Sequence, residues 1–467
     1  MNGILTLLSL IVCAFIVLAV PGFVAPWGVD YGVSSVFDSG RAVLLCAVLA
    51  TIAGAIIVRQ PDDGPFLLKI FVSALLVRML IGTAIFIFRG QDFFGGDALT
   101  YDCLGFSQLQ SWTGDRYYSG IVAFGRGGGT SWGMVHLVAA IYLVIGRNLL
   151  AVQFFNAVIG AATAVIIYLC ALHVFNNIRV ARLSAFTVAF YPSLVLWSSQ
   201  GLKDGPIVFF LALSIWATLM LSRKFDLKFI VVLVGSLFAI LSLRFYVFYM
   251  ITAAVAGSFF IGMQKPTATN FIRQFAIVIT IGLALTYLGV TRYANVQIGY
   301  YANLEKVQRS RLDSATRGQS GFGQQNDVST GEGALSTIPL GLVYLLFAPF
   351  PWQLASLRQS ITLPEMIFWW ASFPLLILGL WFSIKYRLRQ ISPILIFTVM
   401  LSLAYSVFQG NVGNAYRQRS QLLVFYFIFV AVGYVLLLEK REERKRRELA
   451  EPASISDRIV TTPLSRR

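Results

Sequence analysis

Long apolar runs, interrupted by few charges, constrain this chain more than any other feature. A run of about 20 such residues matches the roughly 30 Å hydrocarbon core that a spanning helix must cross. Runs of this kind occupy residues 4–20, 43–58, 66–88, 154–174, 183–197, 206–221, 229–243, 245–263, 275–290, 367–384, 393–407 and 422–438. The stretch 229–263 is too long for one crossing and is broken only by Arg244, which is read as the apex of a hairpin. The first run lacks a basic leader and a small-residue cleavage site, so it is expected to remain as a span. Hydrophobic residues make up 57% of the chain and charged ones 12%, with a mean hydropathy of +0.74, which excludes an ordinary water-soluble enzyme. The expected fold is all-α and polytopic, with about twelve transmembrane helices.

Two further runs, Trp132–Ile145 and 338–350, are too short to cross and are expected as interfacial or re-entrant helices on the outer face. With both kept on one side, the basic clusters Arg179/Arg182, Arg223/Lys224/Lys228, Lys265/Arg273, Lys385/Arg387/Arg389 and 440–447 share one face. The positive-inside rule then places both termini in the cytoplasm. The net charge of +16 is therefore read as a topology signal and not as a nucleic-acid surface. Two N-terminal helices (1–65), a main membrane module (66–438) and a basic cytoplasmic tail (439–467) follow, the tail lying against anionic lipid. The outer face holds long segments at 89–153 and 291–365 and short connections at 198–205, Arg244 and 409–421. The second long segment carries Arg292, Lys306, Arg309, Arg311, Arg317 and Arg358, against the charge rule; long loops translocate regardless of charge. No outer segment contains an Asn-x-Ser/Thr sequon, which fits a bacterial inner membrane.

Ionisable residues cluster in these outer connections. Gly95-Gly96 reads as a turn and Asp97 as the N-cap of a short helix, with Tyr101 one turn on and Asp102 beside it. A capping Asp and an active-site carboxylate fit Asp97 equally at this level. Lys203-Asp204 precedes Gly205-Pro206 and reads first as a self-neutralising pair capping a span. Arg244 is a lone cation at the membrane boundary, where snorkelling is the ordinary explanation. Arg417 and Arg419 have no topological reason to precede the last span, which favours anion binding. Arg78, within the third run, has no evident partner. The histidines, His136 and His173, form no metal site, and Cys13, Cys46, Cys103 and Cys170 form no disulfide framework. Separated cations and a few carboxylates at headgroup level suit a substrate with a phosphate head and a lipid tail.

In the order of these motifs from residue 66 to 438 the chain resembles the GT-C superfamily of membrane glycosyltransferases, which includes protein O-mannosyltransferases and aminoarabinose transferases. Asp97 and Tyr101 match the acidic motif of the first outer loop, and Ile145-Gly146-Arg147-Asn148 resembles the end of the interfacial helix that follows. Asp204-Gly205-Pro206 is similar to the next outer turn, and Ala348-Pro349-Phe350-Pro351-Trp352 to a segment of bacterial members. Two departures stand out: Ala98 where many members have Glu, which leaves the role of Asp102 open, and two extra spans at the start.

The resemblance implies transfer of a sugar from a polyprenyl-phosphate donor to a glycan, lipid or protein acceptor on the outer face, with inversion. Asp97 is then the base, with Tyr101 and Asp102 beside it. Lys203, Arg244, Arg417 and Arg419 are candidate phosphate ligands, and Asp204 orients Lys203 or touches the sugar. The leaving phosphate needs charge stabilisation and no second acid. No cofactor is expected; a divalent metal occurs in oligosaccharyl-transferring relatives, but no clear ligand set for one is visible here. Rival readings are an O-antigen-type polymerase or ligase, which needs no aspartate base of this type, and a twelve-span lipid-linked glycan transporter or flippase, which needs no long outer segments.

Overall fold

A computed structural model of the chain describes residues 12, 14–21, 32–33, 35–88, 93, 96–126, 132–261, 268–290, 303–317, 320–354 and 357–460. Most of the expected first span, Cys13, Gly95, Lys265 and Arg292 lie outside these residues. The described chain is almost entirely helical; its one strand-like feature is an isolated bridge between Gly321 and Asn411.

Polar side-chain caps set where several of the helices begin. Helix α1 (Val36–Val58) starts upstream of its apolar run because the Ser35 hydroxyl accepts from the Asp38 amide. Helices α2 (Gly64–Ile87), α3 (Asp97–Trp112), α4 (Arg116–Arg126) and α5 (Trp132–Ile145) follow. Asn148 caps α6 (Leu149–Phe175) through the Ala151 amide, and Asn177 caps α7 (Ile178–Phe190). Pro192 cannot continue α7, so α8 (Pro192–Ser198) leaves it at 55°. Then come α9 (Asp204–Arg223), α10 (Leu227–Leu243), α11 (Phe245–Ile261) and α12 (Ala268–Tyr287). The chain ends with α13 (Leu304–Arg317), α14 (Gly331–Phe347), α15 (Leu357–Phe408) and α16 (Val412–Val460). Helix α3 runs on to Trp112 and takes in Cys103, longer than the short helix expected after Gly95-Gly96.

Among the described residues α1, α2, α6, α9, α15 and α16 are long and apolar enough to cross a membrane, and the bent pair α7–α8 adds up to one more. This is a multi-pass membrane architecture. Arg244 breaks the run 229–263 as expected, with non-helical φ −158° and ψ 89° between α10 and α11. The run at 338–350 does not match one helix: α14 begins at Gly331, capped by Thr330, and stops before Pro349. Helix α15 is really two helices that meet at non-helical Arg387. The final helix runs on through 439–447, where the side chain of Asn177 donates to Glu439 and Arg179 pairs with Glu442.

The bundle has two polar ends. At one, Arg182 binds Asp63 at 2.5 Å, and Arg223 reaches the His173 carbonyl. At the other, Asp97, Asp204, Arg244 and Arg417 meet. Arg311, one of the cations that opposed the charge rule, is 2% exposed and donates to the Gln409 and Asn326 carbonyls, pinning the long segment onto the approach to α16. Arg78 is likewise internal: it donates to Ser198 at 2.8 Å and to the Ala189 carbonyl at 2.7 Å, holding the α7–α8 bend.

Helix α3 is seated by close contact with α5. A Cβ at Gly105 would fall 2.4–2.7 Å from the Val138 side chain, so only glycine permits this approach. Overpacking of that kind costs about 1–3 kcal/mol. Gly105→Ala should therefore lower the thermal unfolding midpoint of the purified protein in detergent; an unchanged midpoint would contradict the close α3–α5 packing.

Candidate functional site

Asp97 opens α3. The cap position expected for it is taken by Gly96, whose φ of +74° suits glycine, and Asp97 is the first helical residue. Its carboxylate is thereby left for tertiary contact, and Arg417 Nη1 donates to Oδ2 at 2.5 Å. The Asp97 side chain is half exposed, the most accessible member of the cluster.

Arg417, near the start of α16, joins two carboxylates. Its Nε donates to Asp204 Oδ2 at 2.7 Å while Nη2 lies 2.6 Å from the same oxygen. The Trp197 ring covers the guanidinium at 5.6 Å. Asp204, the first residue of α9, is fully buried, and its second oxygen accepts from Arg244 Nη2 at 3.3 Å. Thus Asp204 is neutralised by two arginines from other elements, where the sequence suggested Lys203. Arg244 points inward instead of snorkelling, 6% exposed and beside the Tyr246 ring, and its Nη1 has no hydrogen-bond partner.

Lys203 stands in the turn before α9. Desolvation lowers its ammonium to about 7, reinforced by Arg244 and Arg417 and opposed by Asp204 and Asp97. The turn is held from α6, where Asn156 Nδ2 donates to the Gln200 and Leu202 carbonyls at 2.6 and 2.7 Å. Asn156 and Trp197 escaped the sequence reading. A polar amide within an apolar run was the available signal for the first, and an aromatic next to a polar turn for the second.

The remaining candidates lie apart from this cluster. Asp102 is buried within α3, accepting from the Tyr142 hydroxyl at 2.5 Å and from Arg147 Nη2 at 2.6 Å; it ties α3 to α5 and the turn after it. Tyr101 is buried on α3, one turn from Asp97. Arg419 does not join Arg417. It is completely buried, and its Nη1 donates to the Leu346 and Ala348 carbonyls, closing the end of α14. Residues two apart on a helix face different sides, which is why the two arginines diverge. His136 sits between the Trp112 and Trp132 rings. No group of three or more His, Cys, Asp or Glu able to hold a metal occurs among the described residues.

Residues 133–289 match the family model described as dolichyl-phosphate-mannose-protein mannosyltransferase. The match bears out the resemblance to GT-C membrane glycosyltransferases over that segment. It contains Lys203, Asp204 and Arg244; Asp97 and Arg417 lie outside it. None of the curated proteins compared matches the chain. Among solved structures, the archaeal oligosaccharyltransferase AglB from Archaeoglobus fulgidus, in complex with an inhibitory peptide and a dolichol-phosphate, matches with a TM-score of 0.45 at 12% identity. The match covers 84% of this chain and 52% of that one, so this chain spans about half the length of that protein.

The two carboxylates of the cluster differ in what their loss should do. Removing one partner of a buried ion pair costs about 3–5 kcal/mol, whereas a pair exposed to water contributes about 1 kcal/mol or less. Asp204→Asn should strongly lower the thermal midpoint of the protein in detergent, and Asp97→Asn should leave it nearly unchanged. Equal effects would remove the distinction between a buried organising anion and an accessible one.

Proposed function

We propose that the chain is a membrane glycosyltransferase that moves a sugar from a polyprenyl-phosphate donor to a glycan, lipid or protein acceptor, with Asp97 as general base. The observation that carries this reading is the accessible Asp97 carboxylate paired with Arg417, which shares Asp204 with Arg244, near Lys203. The description of the family model matched by residues 133–289 supports the donor class. The distribution of charge along the sequence supports placing this end of the bundle outside a bacterial inner membrane with both termini inside.

The chemistry follows from the geometry. The acceptor hydroxyl oxygen attacks the anomeric carbon opposite the phosphate, and its proton passes to Asp97. The bond from that carbon to the phosphate oxygen breaks, its electron pair leaves with the lipid phosphate, and the configuration inverts. Lys203, Arg244 and Arg417 meet the developing charge from a largely desolvated setting, where such donors count most. Asp204 holds Arg244 and Arg417 in place and is not itself a base, because both of its oxygens are engaged. Arg417 also pairs with Asp97, and a carboxylate paired with a guanidinium is a poor base. The donor phosphate competes for that guanidinium, so donor binding releases Asp97 for catalysis. Arg419 and Asp102 support the fold around these groups.

Asp97→Asn retains shape and removes basicity. Sugar transfer should fall by about 10²–10⁴ while donor binding persists; near-normal transfer in an acceptor assay would end the assignment.

A second expectation follows from Lys203. A phosphodiester donor keeps its charge throughout the neutral range, so the pH dependence of its binding reports the protein. Lysine is cationic below its lowered pKa of about 7 and loses the charge above it. Donor affinity should be greatest below that value and decline as pH rises through it, and Lys203→Arg should flatten the profile. A pH-independent wild-type affinity would remove Lys203 from the donor site.

A further inference from the structure

The opposite end of the bundle, where Arg223 reaches the His173 carbonyl, holds a polar cavity of about 970 Å³. Helices α6, α9, α11, α12 and α15 all contribute to its wall. The described residues that line it include five cations, Arg223, Arg273, Lys385, Arg387 and Arg389, and no carboxylate. Like charges converging on one space repel each other, and an anion relieves that repulsion.

Two further details point inward. Gln274 is 3% exposed and its Oε1 has no hydrogen-bond partner, and Arg273 Nε likewise lacks one. A buried polar atom left unpaired costs free energy that a ligand recovers. The break in α15 at Arg387 falls within the stretch from Lys385 to Pro393 that lines the cavity. Around this corner Trp381, Ile384, Tyr386 and Leu388 are exposed, and the Lys385 ammonium lies over the Trp381 and Tyr386 rings at 4.9 and 5.3 Å. Aromatic rings interleaved with cations are the signature of a membrane interface, the level of lipid phosphates.

We propose that this cavity is a second anion site that takes a phosphate-bearing group, distinct from the cluster around Asp97. Its cations suit a phosphate, and its volume admits more than a bare phosphate ion. Hydroxyls of Thr218, Ser222, Ser258 and Ser392 and the free oxygen of Gln274 offer partners for the polar remainder of a headgroup. The proposal does not depend on Asp97 being a base. Two sources share this chemistry, an anionic phospholipid headgroup and a soluble phosphate compound.

The test uses the full chain in nanodiscs made with phosphatidylcholine alone or with added phosphatidylglycerol, and native mass spectrometry to count retained lipid. Inorganic pyrophosphate, followed by calorimetry, is the soluble probe. Retention of phosphatidylglycerol that drops at least about tenfold in Arg273→Gln/Arg389→Gln assigns the site to a headgroup; pyrophosphate binding with the same loss assigns it to a soluble phosphate. The charge-preserving pair Arg273→Lys/Arg389→Lys should retain most of the binding, which separates lost charge from lost fold. Binding of neither probe to the wild-type chain, or binding that the Gln pair leaves unchanged, would overturn the proposal.

Discussion

The buried carboxylate of Asp204 is the anchor on which the polar end of the bundle depends. It is fully desolvated, so it must be paired, and each partner comes from a distant part of the sequence: Arg244 from the α10–α11 break and Arg417 from the start of α16. That requirement fixes α9, the hairpin and the last helix relative to one another. Arg417 then carries the constraint outward to Asp97 and so to α3. A chain of four ionised side chains thus joins segments that an apolar bundle would leave free to slide.

The same arrangement separates two roles that a pair of aspartates could share. Asp204 is enclosed and saturated, which makes it an organiser. Asp97 is half open and holds only the far end of a shared guanidinium, which leaves it free to exchange partners. An anion entering the site is attracted by Lys203 and the arginines and repelled by Asp97. In the proposed reaction, exchange of Arg417 from carboxylate to phosphate resolves both terms at once and couples donor binding to release of Asp97.

Much of this site was legible in the sequence, because charge is conspicuous in an apolar chain. Asp97, Lys203, Asp204, Arg244 and Arg417 stood out as ionisable groups where a membrane protein rarely places them. Their pairing was not legible: Arg417 is 320 positions from Asp97 and 213 from Asp204, and only the fold brings them together. Local patterns misled where tertiary contacts decide. Arg419 looked like a twin of Arg417 but projects from another side of the helix into the carbonyls that end α14. Asp97 looked like a cap, yet the left-handed Gly96 takes that position and releases its carboxylate. In the membrane core, apolarity marked the helices but not their ends, several of which polar caps such as Ser35, Asn148 and Asn177 determine.

The central claim is that Arg417 passes from Asp97 to the donor phosphate. A structure of the chain bound to a polyprenyl phosphate tests it most directly, read at the Arg417 guanidinium. The account predicts phosphate oxygens within hydrogen-bond distance of Arg417 and Lys203, the Arg417–Asp204 contact retained, and the Asp97 carboxylate released. A phosphate bound away from these residues, with the Arg417–Asp97 pair intact, would contradict it.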